Sequence, residues 1–183
     1  MAGSENIINQ KAIADHELWT AFKQGNVSAF NEMYRRHAGA LYNYGYHLLP
    51  DTSLVKDAMQ DLFADLWRTR NNLSETSSVK YYLFRSLRRR LYRLADIKPI
   101  PYITPSQTES IEDLKIRTEE YTLLMQRLQL SMSRLPERQQ EVIRLRFYDN
   151  FSWEEIAGIL QINEQSVRNL VQRAVVKMRE NWK

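Results

Sequence analysis

Apolar residues along this chain recur mostly at spacings of three and four, the period of a helix that buries one face, rather than in the strict alternation of short strands. Only 5 glycines and 5 prolines interrupt the pattern, and it predicts an all-α protein. The clearest break begins at residue 98. Pro99, Pro101 and Pro105 fall there among Thr, Ser and Gln, with little that could build a core. The chain is therefore expected to comprise a tail (1–14), a first small helical domain (15–97), a flexible linker (98–115) and a second small helical domain (116–183). Such a linker sets reach without fixing angle, so the separation of the two domains is expected to vary.

In the second domain a helix is expected from Leu135 onward, with Pro136 in its first turn and Val142, Ile143 and Phe147 as its apolar stripe. Ser152 can cap the next helix, and Glu155 three residues on completes a capping box. That helix is short and ends near Leu160. Gln161, Ile162 and Asn163 make a tight turn, and Asn163 can cap a third helix carrying Val167, Leu170, Val171 and Ala174 on its inner face. The pattern is helix, short turn, helix. Small Ala157 lets the two cross closely, and Ile156, Leu160, Ile162, Val167 and Leu170 fill the angle between them. The outer face of the last helix carries Gln165, Ser166, Arg168, Asn169, Gln172 and Arg173. Arginine pairs with guanine, and Asn or Gln with adenine, through two hydrogen bonds each, so this face suits a DNA major groove. Arg138, Arg144 and Arg146 can meet phosphates and set its register. An ordinary three-helix bundle with a solvated polar face is the alternative.

The first domain contains two helices of opposite character. Over residues 54–67, Val55, Ala58, Met59, Leu62 and Leu66 share one side and Asp57, Asp61 and Asp65 another. Like charges four residues apart weaken an isolated helix by about 0.2–0.5 kcal/mol per pair, so the stripe suits a basic partner unless it is simply a solvated face. Lacking a histidine at helical spacing, it is not expected to bind metal. Over residues 79–95, Val79, Leu83, Leu87, Leu91 and Leu94 face inward. Tyr81, Tyr82, Tyr92, Arg85, Arg88, Arg89 and Arg93 share the opposite side. Arg90 falls among the inward residues and is expected to snorkel to water. Arginines neutralise phosphates, and the interleaved tyrosine rings can stack on unpaired bases. The polar loop before this helix, with Asn71 and Asn72, can hold an extruded base.

Composition removes several alternatives. The 183 residues contain no cysteine, which excludes disulfides, thiolate metal sites and cysteine nucleophiles. Residues 1–15 have no long apolar core and no span of about 18 apolar residues occurs, so neither a signal peptide nor a membrane segment is expected, and the protein is expected in the cytoplasm. His16, His37 and His47 stand at unhelpful spacings, and no phosphate-cradling glycine loop is visible. Neither a catalytic site nor a cofactor is expected. The formal net charge is only +4, because the acidic stripe and the arginine face largely cancel.

Together these residues give a chain that resembles, over nearly its whole length, the extracytoplasmic-function sigma factors of the bacterial sigma-70 family. Val55-Lys56-Asp57-Ala58-Met59-Gln60-Asp61-Leu62-Phe63-Ala64-Asp65-Leu66-Trp67 is similar to that family's region 2.2. Tyr82-Leu83-Phe84 and the arginines after it resemble regions 2.3 and 2.4. Residues 135–179, with Glu155-Ile156-Ala157 and Ser166-Val167-Arg168, resemble region 4. The resemblance implies that Asp57, Gln60 and Asp61, with Asp65 continuing the stripe, dock on the clamp helices of the largest subunit of RNA polymerase. It implies a second contact with the flap of the next-largest subunit. It also implies that the helix through Tyr82 and Arg93, with the loop before it, captures the melted −10 strand of promoter DNA, and that the helix from Glu164 reads the −35 element. An anti-sigma factor, often membrane-anchored, is a further implied partner. Gln161 stands where the family usually has glycine, and Arg89 where asparagine is common. A transcription activator that binds only duplex DNA through the second domain is the competing reading, and it would need neither the acidic stripe nor the arginine–tyrosine helix.

Overall fold

In the computed structural model, residues 15–76, 78–97 and 119–182 are described, and the tail and linker expected at 1–14 and 98–115 lie outside them. The chain divides into two compact units, one ending at Ile100 and the other beginning at Pro101. Among the described residues there are helices and no strands, so the all-α architecture expected from the sequence is what forms.

Among its described residues the first unit packs four α-helices: α1 (Asp15–Lys23), α2 (Val27–Leu48), α3 (Thr52–Thr69) and α4 (Val79–Ile97). Each start has a local cause. Asp15 and Glu17 lie in the first turn of α1, Asn26 accepts from the Ala29 amide at 3.0 Å, and Asp51 accepts from the Leu54 amide at 3.0 Å. Ser78 Oγ accepts from the Tyr81 amide at 3.1 Å at the start of α4. A glycine at φ +86°, Gly25, turns the chain between α1 and α2.

The core sits where α1, α2 and α3 meet α4, and Trp19, Phe22, Met33, Leu41, Leu62, Leu83, Phe84, Leu87 and Leu91 are fully buried there. Each large apolar side chain so buried contributes about 1.5–3 kcal/mol. Aromatic rings continue along one side: Phe22 stacks on Phe30 at 5.7 Å, and Phe30 meets Phe63 at 6.0 Å and Trp67 at 5.2 Å. At Gly45 in α2 the packing is tightest. A Cβ there would lie 2.9 Å from Val55 Cγ1 and 3.4 Å from Leu91 Cδ1. Because the β-branched Val55 cannot swing aside easily, Gly45→Val is expected to destabilise this unit by about 1–3 kcal/mol. Differential scanning calorimetry checks this as a fall of several degrees in the transition of the first unit.

The second unit is built from α5 (Glu119–Ser133), α6 (Glu137–Ile143), a wide π turn (Arg144–Tyr148), α7 (Trp153–Leu160) and α8 (Glu164–Trp182). Pro136 lies just outside α6 as its cap rather than in its first turn, and its carbonyl accepts from Gln139 and Gln140 at 2.8 and 3.0 Å. The expected apolar stripe needs one correction. Val142 and Ile143 are buried, but Phe147 is 58% exposed and Leu145 is buried instead. Five positions after Val142 is about 140° round a helix. Once Leu145 joins Val142 in the core, Phe147 falls on the opposite side.

The capping box of α7 forms as expected: Ser152 Oγ accepts from the Glu155 amide at 3.1 Å and Glu155 Oε2 accepts from the Ser152 amide at 2.9 Å. Asn163 caps α8 by accepting from the Ser166 amide at 2.7 Å. Between these helices Gln161 adopts φ 58°, ψ 45°, a left-handed conformation that glycine takes without steric cost. The Ile162 amide still donates to the Ala157 carbonyl at 3.0 Å, so the turn closes despite the side chain. Left-handed backbone costs a non-glycine residue about 1–2 kcal/mol, and part of that is offset by the greater unfolded-state freedom of glycine. Gln161→Gly is therefore expected to stabilise the second unit by about 0.5–1 kcal/mol, measured as a rise in denaturation midpoint at unchanged slope.

Candidate nucleic-acid interface

Each unit presents its own surface. On α3 the inner positions Val55, Ala58, Met59, Leu62 and Leu66 are buried, as is Phe63, which leaves Asp57, Gln60 and Asp61 exposed on the outer face. Asp65 differs from them. It is half-buried and paired with both Arg68 and Arg90, and the hydrogen bond from Arg90 holds its carboxyl below the usual carboxylate range. The expectation that Arg90 snorkels to water is thus corrected: it crosses from α4 to the end of the acidic stripe and ties the two helices together.

The arginine and tyrosine face of α4 is present but not uniform. Arg85, Arg89, Tyr92 and Arg93 are exposed, whereas Tyr81, Tyr82 and Arg88 are half-buried. The Arg85 guanidinium donates to Tyr81 Oη at 3.1 Å, Arg88 lies over the Tyr92 ring at 4.4 Å, and Arg93 donates to the Arg89 carbonyl at 3.3 Å. Tyr82 packs on Trp19 at 5.1 Å. Trp19, which periodicity alone did not single out, also donates its indole N–H to the Ser74 carbonyl at 3.1 Å and so anchors the loop before α4. Asn71 and Asn72 form an exposed 3-10 turn at the start of that loop. Arg70, just before them, lies over Trp67 at 4.5 Å, and Lys23 pairs with Glu75 at 2.5 Å. The first part of the loop, through Glu75, is thereby tied to α1 and α3.

On the second unit, Gln165, Arg168, Asn169, Gln172 and Arg173 are exposed along α8 and Ser166 is half-buried, while Val167, Val171 and Ala174 are buried beneath them. Several of the polar groups are held in advance. Gln165 Nε2 donates to Asn169 Oδ1 at 3.0 Å, and Arg168 donates to Glu164 at 3.4 Å and lies over the Trp153 ring at 4.9 Å. The far end of the face, at Asn169, Gln172, Arg173, Val176 and Lys177, opens into a shallow cleft against Gln139 of α6. Arg138 is exposed. Arg144 is half-buried, and burial lowers its pKa. Arg146 donates to the Phe151 carbonyl at 2.7 Å and lies over Trp153 at 4.6 Å.

His37 is buried, its Nε2 3.6 Å from Asp15 Oδ2, and desolvation lowers its pKa. Its ring, on α2, faces Asp15 at the start of α1. Among the described residues no cluster of acidic or histidine side chains is placed to hold a metal, and no helix is long and apolar enough to cross a membrane.

An arginine–tyrosine helix with a tethered loop and a helix-turn-helix with a polar outer face are features of a two-unit helical DNA-binding protein, and the first unit also exposes an acidic face on α3. Comparison with known proteins gives the same class. The sigma-70 region 2 family matches residues 33–95 and the sigma-70 region 4 family matches residues 125–178. The RNA polymerase sigma-E factor of Streptomyces antibioticus is 27% identical over 165 residues, covering 86% of each chain. That of Streptomyces coelicolor is 26% identical over 160 residues, covering 85% of this chain and 87% of the relative. Two solved structures share the fold. CnrH, in complex with the cytosolic domain of CnrY, has a TM-score of 0.64 at 21% identity and covers 91% of this chain and 95% of its own. The sigma factor RpoE from Bartonella quintana, in complex with the anti-sigma factor NepR, has a TM-score of 0.60 at 23% identity, covering 85% and 97%. The chain belongs to the sigma-70 family, as an extracytoplasmic-function RNA polymerase sigma factor that serves promoter recognition.

Proposed function

We propose that the two units divide promoter recognition between them, without catalysis by this chain. In the first unit Asp57, Gln60 and Asp61 dock on a basic surface of core RNA polymerase, with Asp65 at the edge of that contact. Arg85, Arg88, Arg89 and Arg93, with Tyr81, Tyr82 and the Asn71–Asn72 turn, hold the unpaired −10 strand. In the second unit Arg168, Asn169, Gln172 and Arg173, with Gln165 and Ser166, read the −35 duplex, and Arg138 meets a phosphate. The observation that carries this reading is the pairing of chemically opposite faces on one small bundle, exposed carboxylates on α3 and exposed arginines on α4. A protein that bound only duplex DNA through α8 would need neither. Since CnrH and the Bartonella RpoE each occur in complex with another protein, we extend the same expectation here: an anti-sigma partner that masks one of these faces. The site of action is the compartment that holds the polymerase, the cytoplasm.

The −10 assignment is tested with permanganate, which modifies unpaired thymines, on a promoter opened by the holoenzyme. Replacing Arg85, Arg88 and Arg89 together by Ala should leave −35 duplex binding in place and abolish the reactive thymines. Full reactivity in the triple variant would sink the assignment.

A further inference from the structure

Trp153 is the first residue of α7, on the helix that precedes the reading helix, and no DNA role follows for it from its place in the helix-turn-helix pattern. Its surroundings are unusual for a surface indole. The guanidinium of Arg146 lies 4.6 Å from its ring centre and that of Arg168 lies 4.9 Å from it. Both separations are within the range of cation–π attraction. Each part of this arrangement is itself fixed. The capping box at Ser152 and Glu155 sets the backbone that carries Trp153. Arg146 is anchored by its hydrogen bond to the Phe151 carbonyl at 2.7 Å. Arg168 is also paired with Glu164 at 3.4 Å.

We propose that Trp153 is a positioning residue for sequence reading: its indole holds the Arg168 guanidinium in one orientation, so that the fork meets a base edge ready-made. The proposal rests on the reading of α8 as the −35 helix. An arginine on an open helix face samples many rotamers, and bidentate pairing with guanine needs its planar fork in one plane and direction. An aromatic plane beneath the guanidinium restricts both, which preserves discrimination by removing ordering that binding would otherwise require. Glu164 alone cannot do this, because a carboxylate at 3.4 Å restrains position but not the plane of the fork. The arrangement also explains why Arg146 is turned back to the Phe151 carbonyl: it braces the ring from the π turn.

The test uses the full chain assembled with core polymerase and a pool of duplexes with a randomised −35 segment, retained molecules being sequenced. Arg168→Ala should erase the preference at one or two base positions. Trp153→Leu should flatten the preference at those same positions severalfold, Trp153→Phe should keep most of it, and the double variant Trp153→Leu with Arg168→Ala should look like Arg168→Ala alone. A thermal melt of each variant reports folding separately. Undiminished preference in Trp153→Leu would overturn the proposal, as would equal loss of retention on every sequence, which is the signature of a purely structural or phosphate-contacting tryptophan. A pool unmoved by Arg168→Ala would instead sink the base-reading role of Arg168, and the positioning role with it. Selective flattening in Trp153→Leu, absent in Trp153→Phe, supports it.

Discussion

Arg168→Ala is expected to reduce discrimination between the cognate −35 element and one altered at the contacted base by roughly 5- to 150-fold, since a bidentate arginine–guanine pair contributes about 1–3 kcal/mol and each 1.4 kcal/mol is a factor of ten. The geometry gives the reason. Arg168 is exposed on α8 between buried Val167 and half-buried Leu170, so its loss removes no core contact and should leave the fold unchanged. The ion pair with Glu164 and the contact with Trp153 hold the fork without burying it. Competition binding of the holoenzyme to cognate and altered duplexes measures the ratio. A phosphate contact behaves differently, lowering affinity uniformly and reducing the salt slope by about one. A uniform loss would therefore move Arg168 from base reading to backbone positioning.

Asp61→Arg is expected to weaken binding to core polymerase by tenfold or more without lowering the thermal stability of the first unit. The side chain lies on the solvent side of α3 among Asp57 and Gln60. Reversing its charge places like charges against a basic partner, which typically costs several kcal/mol at a complementary interface. Asp65 supplies the contrast. Its pairing with Arg90 and Arg68 makes it part of the bundle as well as of the surface, so Asp65→Asn should show in the melt. The sign with pH follows from the lowered folded pKa of Asp65: its stabilisation is present above the usual carboxylate range and is lost as pH falls through the lowered value. A pull-down with unchanged affinity for Asp61→Arg would contradict the docking assignment.

Much of this could be read in the chain because its signals are local. The inner faces of α3 and α8 follow from three- and four-residue spacing. The Ser152 and Asn163 caps follow from side chains that reach amides three residues on. What could not be read depends on partners distant in sequence. Arg90 falls among the inward positions and reads as snorkelling to water, because its actual partner Asp65 is 25 residues away on another helix. Tyr82 looked open because the Trp19 that covers it lies on a short α1 whose pattern is too brief to stand out. Phe147 reads as a core residue because it lies four positions after Ile143, whereas Leu145 is the residue that is buried. Gln161 shows that the turn, where the sigma-70 family usually has glycine, forms with a side chain present, at a local cost in strain. The polar face of α8 was visible as composition, but not that its members were already held by one another and by Trp153, since that depends on the crossing of α7 and α8.

Transcription by reconstituted polymerase tests the sigma-factor role most directly. Core enzyme is supplied with genomic DNA fragments, with and without this protein, and the 5′ ends of the transcripts are mapped. The expected result is a small set of new start sites that appear only with the protein, share −35 and −10 elements at fixed spacing, and disappear with Asp61→Arg. No new start sites, together with no binding to core, would contradict it.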